Sequence, residues 1–260
     1  MMKKTVFKFL KVLAVAAFWV GIWYLLYFIV DNSLLFPSMH QVVIRLVQLA
    51  KTYEFYQIIL KSVLRIFIGL IASIVLGILI AIPTARFKTL HSLISPLMTI
   101  LKATPIASFI ILLLLWIGRD VAPAIISVCV VLPIVWTGVE TGILHMDKKL
   151  IDMAKAYNMS GPQKIKYIYI PQISPYFISS IKSSIGLAWK AGIAAEVLSL
   201  PLVSIGKQIY ESKLYLETVD LFAWTLVAVV ISVLIEKLVV MVYCKISKSK
   251  RFVRKLEVEA

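Results

Sequence analysis

Long uncharged hydrophobic runs dominate the chain, separated by short polar breaks, and within each run the apolar residues are continuous rather than alternating. Continuous apolar runs do not fit the alternating strands of a closed membrane barrel, so the pattern predicts membrane-crossing helices. A hydrocarbon core about 30 Å thick takes roughly 20 helical residues at about 1.5 Å each. Six runs meet or approach that length: residues 12–30, 66–85, 103–118, 121–139, 173–195 and 221–235. The third has Lys102 at its start and the fifth contains Lys182 and Lys190, so these two are the least apolar. The first is longer than the apolar stretch of a secretory signal. Asp31-Asn32-Ser33 after it does not resemble a small-residue cleavage site, so it reads as a retained helix.

Two finer patterns lie within and beside these runs. After the first run, Ser38 can cap a helix whose Val42, Val43, Leu46 and Leu49 share a face opposite Gln41, Arg45, Gln48 and Lys51. Such a helix should lie along the outer membrane surface. Small residues also recur every four positions, as Gly69, Ser73, Gly77 and Ala81 in the second run and Ser180, Ser184, Ala188 and Gly192 in the fifth. Helices in lipid associate by close packing, and such stripes let their backbones approach.

The longest cytoplasmic polar break falls between Met146 and Pro171. Asp147 can cap a helix in which Leu150, Met153, Ala154 and Tyr157 form an apolar face, with Lys148, Lys149, Asp152 and Lys155 opposite. Asn158 suits the left-handed residue that ends such a helix, followed by Met159 in contact with its last turn. Ser160 and Gln163 form a capping box around Gly161 and Pro162, starting a second helix through Ile165, Ile168 and Tyr169 to Pro171. Two caps, a turn and an apolar face in so short a stretch predict a rigid element rather than a linker.

Composition fits the membrane reading: the chain is 61% hydrophobic and 16% charged, against about a quarter charged in soluble domains. Its net charge of +15 is unevenly placed. With the N-terminus inside, about 17 Lys and Arg fall on the cytoplasmic side and about six in the outer loops, the bias of the positive-inside rule. The charge therefore reads as topology and contact with lipid headgroups, and no nucleic-acid partner is expected. Cys129 and Cys244 differ in depth and are expected to stay unpaired. The three histidines, His40, His91 and His145, lack ligand spacing, so neither a metal nor another cofactor is expected.

The polar break resembles the EAA loop of permease subunits in ATP-binding-cassette (ABC) importers, whose pattern is E-A-A-x3-G-x9-I-x-L-P. Anchored on Pro171, this chain reads Asp152-Met153-Ala154, Asn158, Ile168, Ile170 and Pro171. The acid is shortened, Met replaces the first Ala, Ile replaces Leu, and Asn replaces Gly while keeping the left-handed turn. Leu35-Phe36-Pro37-Ser38, Lys182, Ala188-Trp189 and Ala194-Ala195-Glu196 further resemble the nitrate/sulfonate/taurine branch of these permeases.

The resemblance implies an all-α polytopic protein with six transmembrane helices and the type I (MetI-like) importer fold. It would be one permease domain over residues 1–260, with a core at about 60–245 and the coupling loop at 144–171. The subunit would sit in the bacterial plasma membrane with both termini cytoplasmic, and pair with a second, identical or different, permease subunit. The loop, from Leu150 through Asp152, Met153, Ala154, Tyr157, Asn158, Met159 and Gly161 to Pro171, would dock on a cytosolic ATPase. An extracytoplasmic solute-binding protein would deliver the substrate.

The chain has no G-x-x-x-x-G-K-[ST] phosphate loop, so ATP hydrolysis by that route would belong to the separate subunit and this one is not expected to be an enzyme. Charges within spans are costly and usually face protein or water. Lys102, Pro105, Trp189, Lys190 and Glu196 are the candidates for the translocation pathway, with Pro105 kinking the third span and Glu196 close to solvent at the outer end. Lys102 and Lys190 could share a water-filled cavity suited to an anion, although satisfaction by carbonyls or at a subunit interface explains them equally well. The alternative function is a secondary transporter or channel not driven by ATP, which should show internal repeats or an ion relay; neither is visible. Motifs of an intramembrane enzyme are also absent from the sequence.

Overall fold

The computed structural model describes residues 2–32 and 34–246, with side chains from residue 14 onward except residues 16, 240 and those after 241. Ser33 and the side chains of the lysines before the first span, of Cys244 and of the basic residues after Tyr243 lie outside that description. Every described regular element is helical: α1 (Met2–Val30), α2 (Met39–Leu49), α3 (Tyr53–Arg86), α4 (Lys88–Ala103), α5 (Ile106–Leu114), α6 (Ala122–Leu144), α7 (Lys148–Ala156), α8 (Gly161–Lys164), a π-helical turn (Ile165–Tyr169), α9 (Ile170–Ser199), α10 (Ile205–Leu214) and α11 (Thr218–Ile246).

The small-residue stripes decide how the three central helices pack. A Cβ on Gly69 would collide with the Ala124 carbonyl, and one on Gly77 would lie 2.8 Å from Val135 Cγ1, so α3 and α6 run parallel in close contact. A Cβ on Gly192 would lie 2.5 Å from Ile66 Cγ1, and one on Gly138 would overlap Ser180, which sets α9 antiparallel to both. Ser73, Ser127, Ser180 and Ser184 are buried along these seams. Their hydroxyls are satisfied within their own helices, for example Ser184 Oγ donating to Ser180 O at 2.7 Å and Ser127 Oγ to Pro123 O at 2.9 Å. Short side chains with internally bonded hydroxyls allow close helix packing at no polar cost.

The expected third span is broken. The run at 103–118 falls on α4, α5 and the break between them, and the two helices are bent by 102° at Thr104-Pro105. Proline lacks the amide hydrogen that would continue α4, and it pushes the residue before it out of helical geometry; Thr104 has φ −70° and ψ 127°. α4 lies across the bundle. His91 near its start bonds Glu140, and Lys102 near its end bonds Thr137, so eleven residues of α4 stay level with one turn of α6. α5 then turns into the bundle, burying Ile110 and Leu113 beside Ile126, Ala191 and Ala195.

Among the described residues, three helices are long and apolar enough to cross a membrane, α3, α6 and the Thr218–Val239 part of α11, with the α4–α5 pair a fourth as one broken span. α9 is 30 residues long but carries Lys182, Lys190 and Glu196. The apolar stretch described in α1 runs over Ala17–Val30.

At the end opposite α7, the amphipathic segment forms α2 as expected. Ser38 and Gln41 make the capping box, and Val42 is buried. Its polar face has a specific partner: Arg45 Nε and Nη2 donate to Asp220 Oδ1 and Oδ2 at 2.5 and 2.7 Å, tying α2 to α11. This forked hydrogen bond to Asp220 raises the Arg45 pKa above its ordinary value. Trp23, Phe36 and Phe222 cluster with ring centroids 5.2 to 5.4 Å apart, and Trp23 Nε1 donates to Pro37 O, bringing α1 to the same corner.

Candidate functional site

Each cap predicted between Met146 and Pro171 is formed. Asp147 accepts from Lys149 N at 2.9 Å, and its own amide donates to Gln172 Oε1 at 2.7 Å, anchoring the start of α7 to α9. Asn158 has φ 49°, in the left-handed region. Its amide donates to Lys155 O at 2.9 Å and that of Met159 to Ala154 O at 3.0 Å, the paired bonds of a Schellman C-cap. Ser160 N donates to Gln163 Oε1 at 2.8 Å in the second capping box, which opens at Gly161. Asp152 pairs with Lys155 at 2.9 Å on the solvated side.

The apolar face of α7 divides. Ala154 is buried, while Leu150, Met153 and Tyr157 are 38%, 43% and 77% exposed. A helix anchored through one small residue thus holds three larger apolar side chains away from its own bundle. Beyond α8 the chain reaches α9 through the π-helical turn Ile165–Tyr169, with Pro171 in the first turn of α9. The second loop helix therefore continues into the membrane helix without a loop.

The pathway candidates separate into two groups. Lys102, Pro105 and Lys190 are exposed. Lys102 Nζ donates to Thr137 Oγ1 at 2.9 Å, while Lys190 lies between Ala188 and Gly192, level with Ser127. Ten residues of α6 separate those levels, about 15 Å at about 1.5 Å per residue, which does not fit a single cavity shared by the two lysines.

Trp189 is buried, and its indole donates to Ala228 O of α11 at 2.9 Å. Glu196 is fully buried, which corrects the expectation that it stands close to solvent. Its Oε1 takes Arg65 Nη1 at 2.6 Å, and its Oε2 takes Ser62 Oγ at 2.8 Å and Gly206 N at 3.1 Å. Gly206 is required there, because a Cβ would collide with Glu196 itself.

Sequence reasoning missed Arg65, Ser62, His91 and Glu140. Arg65 stands one residue before the second apolar run and is separated from Glu196 by 131 positions, so no local spacing pairs them. Glu140 is buried, accepts His91 Nδ1 at 3.0 Å, and the His91 ring stacks on Trp136. An acid placed directly at the end of an apolar run was the available signal.

Together these features define an all-helical, multi-pass membrane protein with a broken span and a capped helix projecting from one end. The family model of the binding-protein-dependent transport system inner membrane component matches residues 73–251, and the chain belongs to that family. It is similar to the Bacillus subtilis protein SsuC, named as an aliphatic sulfonates transport permease, at 23% identity over 84% of this chain and 79% of the relative. It is also similar to the taurine transport system permease protein TauC of Escherichia coli, at 21% identity over 79% of this chain and 76% of the relative. The bicarbonate transport system permease protein CmpB of Synechococcus elongatus is 26% identical over 61% of this chain and 57% of the relative. The protein is thus a permease subunit of an ABC importer, and the alternative of an ATP-independent transporter or channel falls.

Proposed function

We propose that α7 is the coupling helix through which a separate cytosolic ATPase drives this permease. The observation that carries the reading is the exposed Leu150, Met153 and Tyr157 face on a helix capped at both ends and anchored to α9. A rigid rod with an unpartnered apolar face can enter a groove on a partner and pass its displacement on. The π-helical turn carries the motion into α9 without slack. Movement of the ATPases on binding ATP would then bias the helices between inward- and outward-open arrangements.

In this reading residues 1–260 form one permease domain, with its core at about 60–245 and the coupling loop at 144–171. The α7 end and both termini face the cytosol of a bacterial cell, and the opposite end, with α2 and α10, meets a solute-binding protein. A second permease subunit completes the pathway, with Lys102, Pro105 and Lys190 facing it and Trp189 and Glu196 supporting it from behind. The named solutes of the relatives, aliphatic sulfonates, taurine and bicarbonate, all carry an anionic oxygen group. A small organic or inorganic anion is therefore the substrate class. The exposed lysines at two depths suit successive contacts with such an anion.

An affinity-tagged chain expressed with the cytosolic ABC ATPases of its own cell tests the coupling role. Leu150→Asp with Tyr157→Asp should release the ATPase while leaving the membrane domain folded. Retention of the ATPase at the wild-type level overturns the assignment.

A further inference from the structure

We propose that the α7 end of the bundle holds a binding site for one anionic phospholipid, with an acyl chain between α3 and α9 and the phosphate on Arg86. A cleft of about 750 Å³ opens there over α6. Its walls are almost entirely apolar: Ile78 and Ile82 on α3, Val139 and Ile143 on α6, Ile173 and Phe177 on α9. From Ile78 to Arg86 it follows α3 for about 12 Å, two helical turns, and ends at the cation.

The charge at that end selects the ligand. Arg86 is exposed in the last turn of α3. Its guanidinium lies 5.6 Å from the centroid of the Phe87 ring, and no carboxylate pairs with it among the described residues. Lys88 follows two positions later, and Lys166 adjoins Ile165 of the cleft wall. An apolar slot of helical length with unpaired cations at one end matches an amphiphile with an anionic head, and basic pockets between membrane helices take phosphate headgroups. A zwitterionic lipid would bring its own cation to Arg86, and a free anion would leave the slot empty. The ligand would also touch Ile165 and Tyr169 of the π-helical turn, so it sits against the joint between α7 and α9.

Native mass spectrometry of the full-length chain in detergent, titrated with phosphatidylglycerol, phosphatidylcholine or glycerol 3-phosphate, tests this. Wild type should retain one phosphatidylglycerol at least about fivefold more strongly than phosphatidylcholine, because both phosphates can reach Arg86 but the choline cation offsets the attraction of the basic residues around it. Arg86→Gln should abolish the preference. Ile82→Trp, which fills the slot at a position already 55% exposed, should remove the adduct itself without unfolding the protein. Lys51→Gln, at the other end of the bundle, should change neither. Equal retention of the two lipids, an adduct unaffected by Arg86→Gln and Ile82→Trp, or equal binding of glycerol 3-phosphate overturns the site. So does a photo-crosslinker at Ile82 that captures polypeptide rather than lipid in the membrane.

Discussion

Arg65 Nη1 lies 2.6 Å from Glu196 Oε1, joining α3 to the last turn of α9 in a site where the carboxylate is fully buried. The other carboxylate oxygen bonds Ser62 and the amide of Gly206, and Ser62 Oγ also accepts from Ile205 N at 2.9 Å. One acid thus gathers α3, α9 and the start of α10 at the end opposite α7. A buried charge is tolerable only with such partners, and removing one exposes the other to the full desolvation cost.

Arg65→Met should therefore lower thermal stability in detergent sharply, by about 3 kcal/mol or more, as is typical when one partner of a buried pair is lost. The double replacement Arg65→Met with Glu196→Gln should recover a large part of that loss. Melting curves for the four proteins of this double-mutant cycle measure it, and additive losses would show that the two residues act independently.

Asn158 tests the rigidity of the loop that carries α7. Asn158→Gly should be tolerated, because glycine adopts the left-handed conformation freely. Asn158→Ile should cost about 1–2 kcal/mol at that φ and free the last turn of α7. Hydrogen exchange at the Asn158 and Met159 amides should quicken in the isoleucine variant, with α6 unchanged.

The packing seams give a contrast between glycines. Gly69→Val should destabilise by several times RT, since its side chain meets the backbone of α6 at Ala124 and that backbone cannot yield as a side-chain end can. Gly186→Ala lies in open space on α9 and should stabilise by about 0.5–1 kcal/mol through helix propensity. Yield and melting temperature of the two variants should move in opposite directions.

Lys102 and Lys190 should contribute separately to uptake. Lying about 15 Å apart in depth, their effects are expected to add. Uptake of a transported anion by Lys102→Met, Lys190→Met and the double variant should give multiplicative losses. A double variant no worse than either single one would place both lysines on one binding event.

The polar break at 146–171 was legible because caps and left-handed turns are local: Asp147, Asn158, Ser160 and Gln163 act on backbone within three residues of themselves. The small-residue stripes were equally readable as packing faces. They did not say which helix each would meet, because close approach needs a partner whose position depends on every connection between. Pro105 announced a kink, but not a bend of 102° that lays α4 across the bundle.

What the sequence by itself determined is the helical class, the membrane setting and the design of α7, all of which follow from periodicity, hydropathy and capping over short distances. Only the tertiary structure decided the fate of the charges. It turned Glu196 inward to Arg65, seated Trp189 against α11, and separated Lys102 from Lys190 along α6. The energy of a charge in a membrane protein is set by what surrounds it, and the partners here come from other helices: Arg65 of α3 for Glu196, 131 positions away, and Thr137 of α6 for Lys102, 35 away.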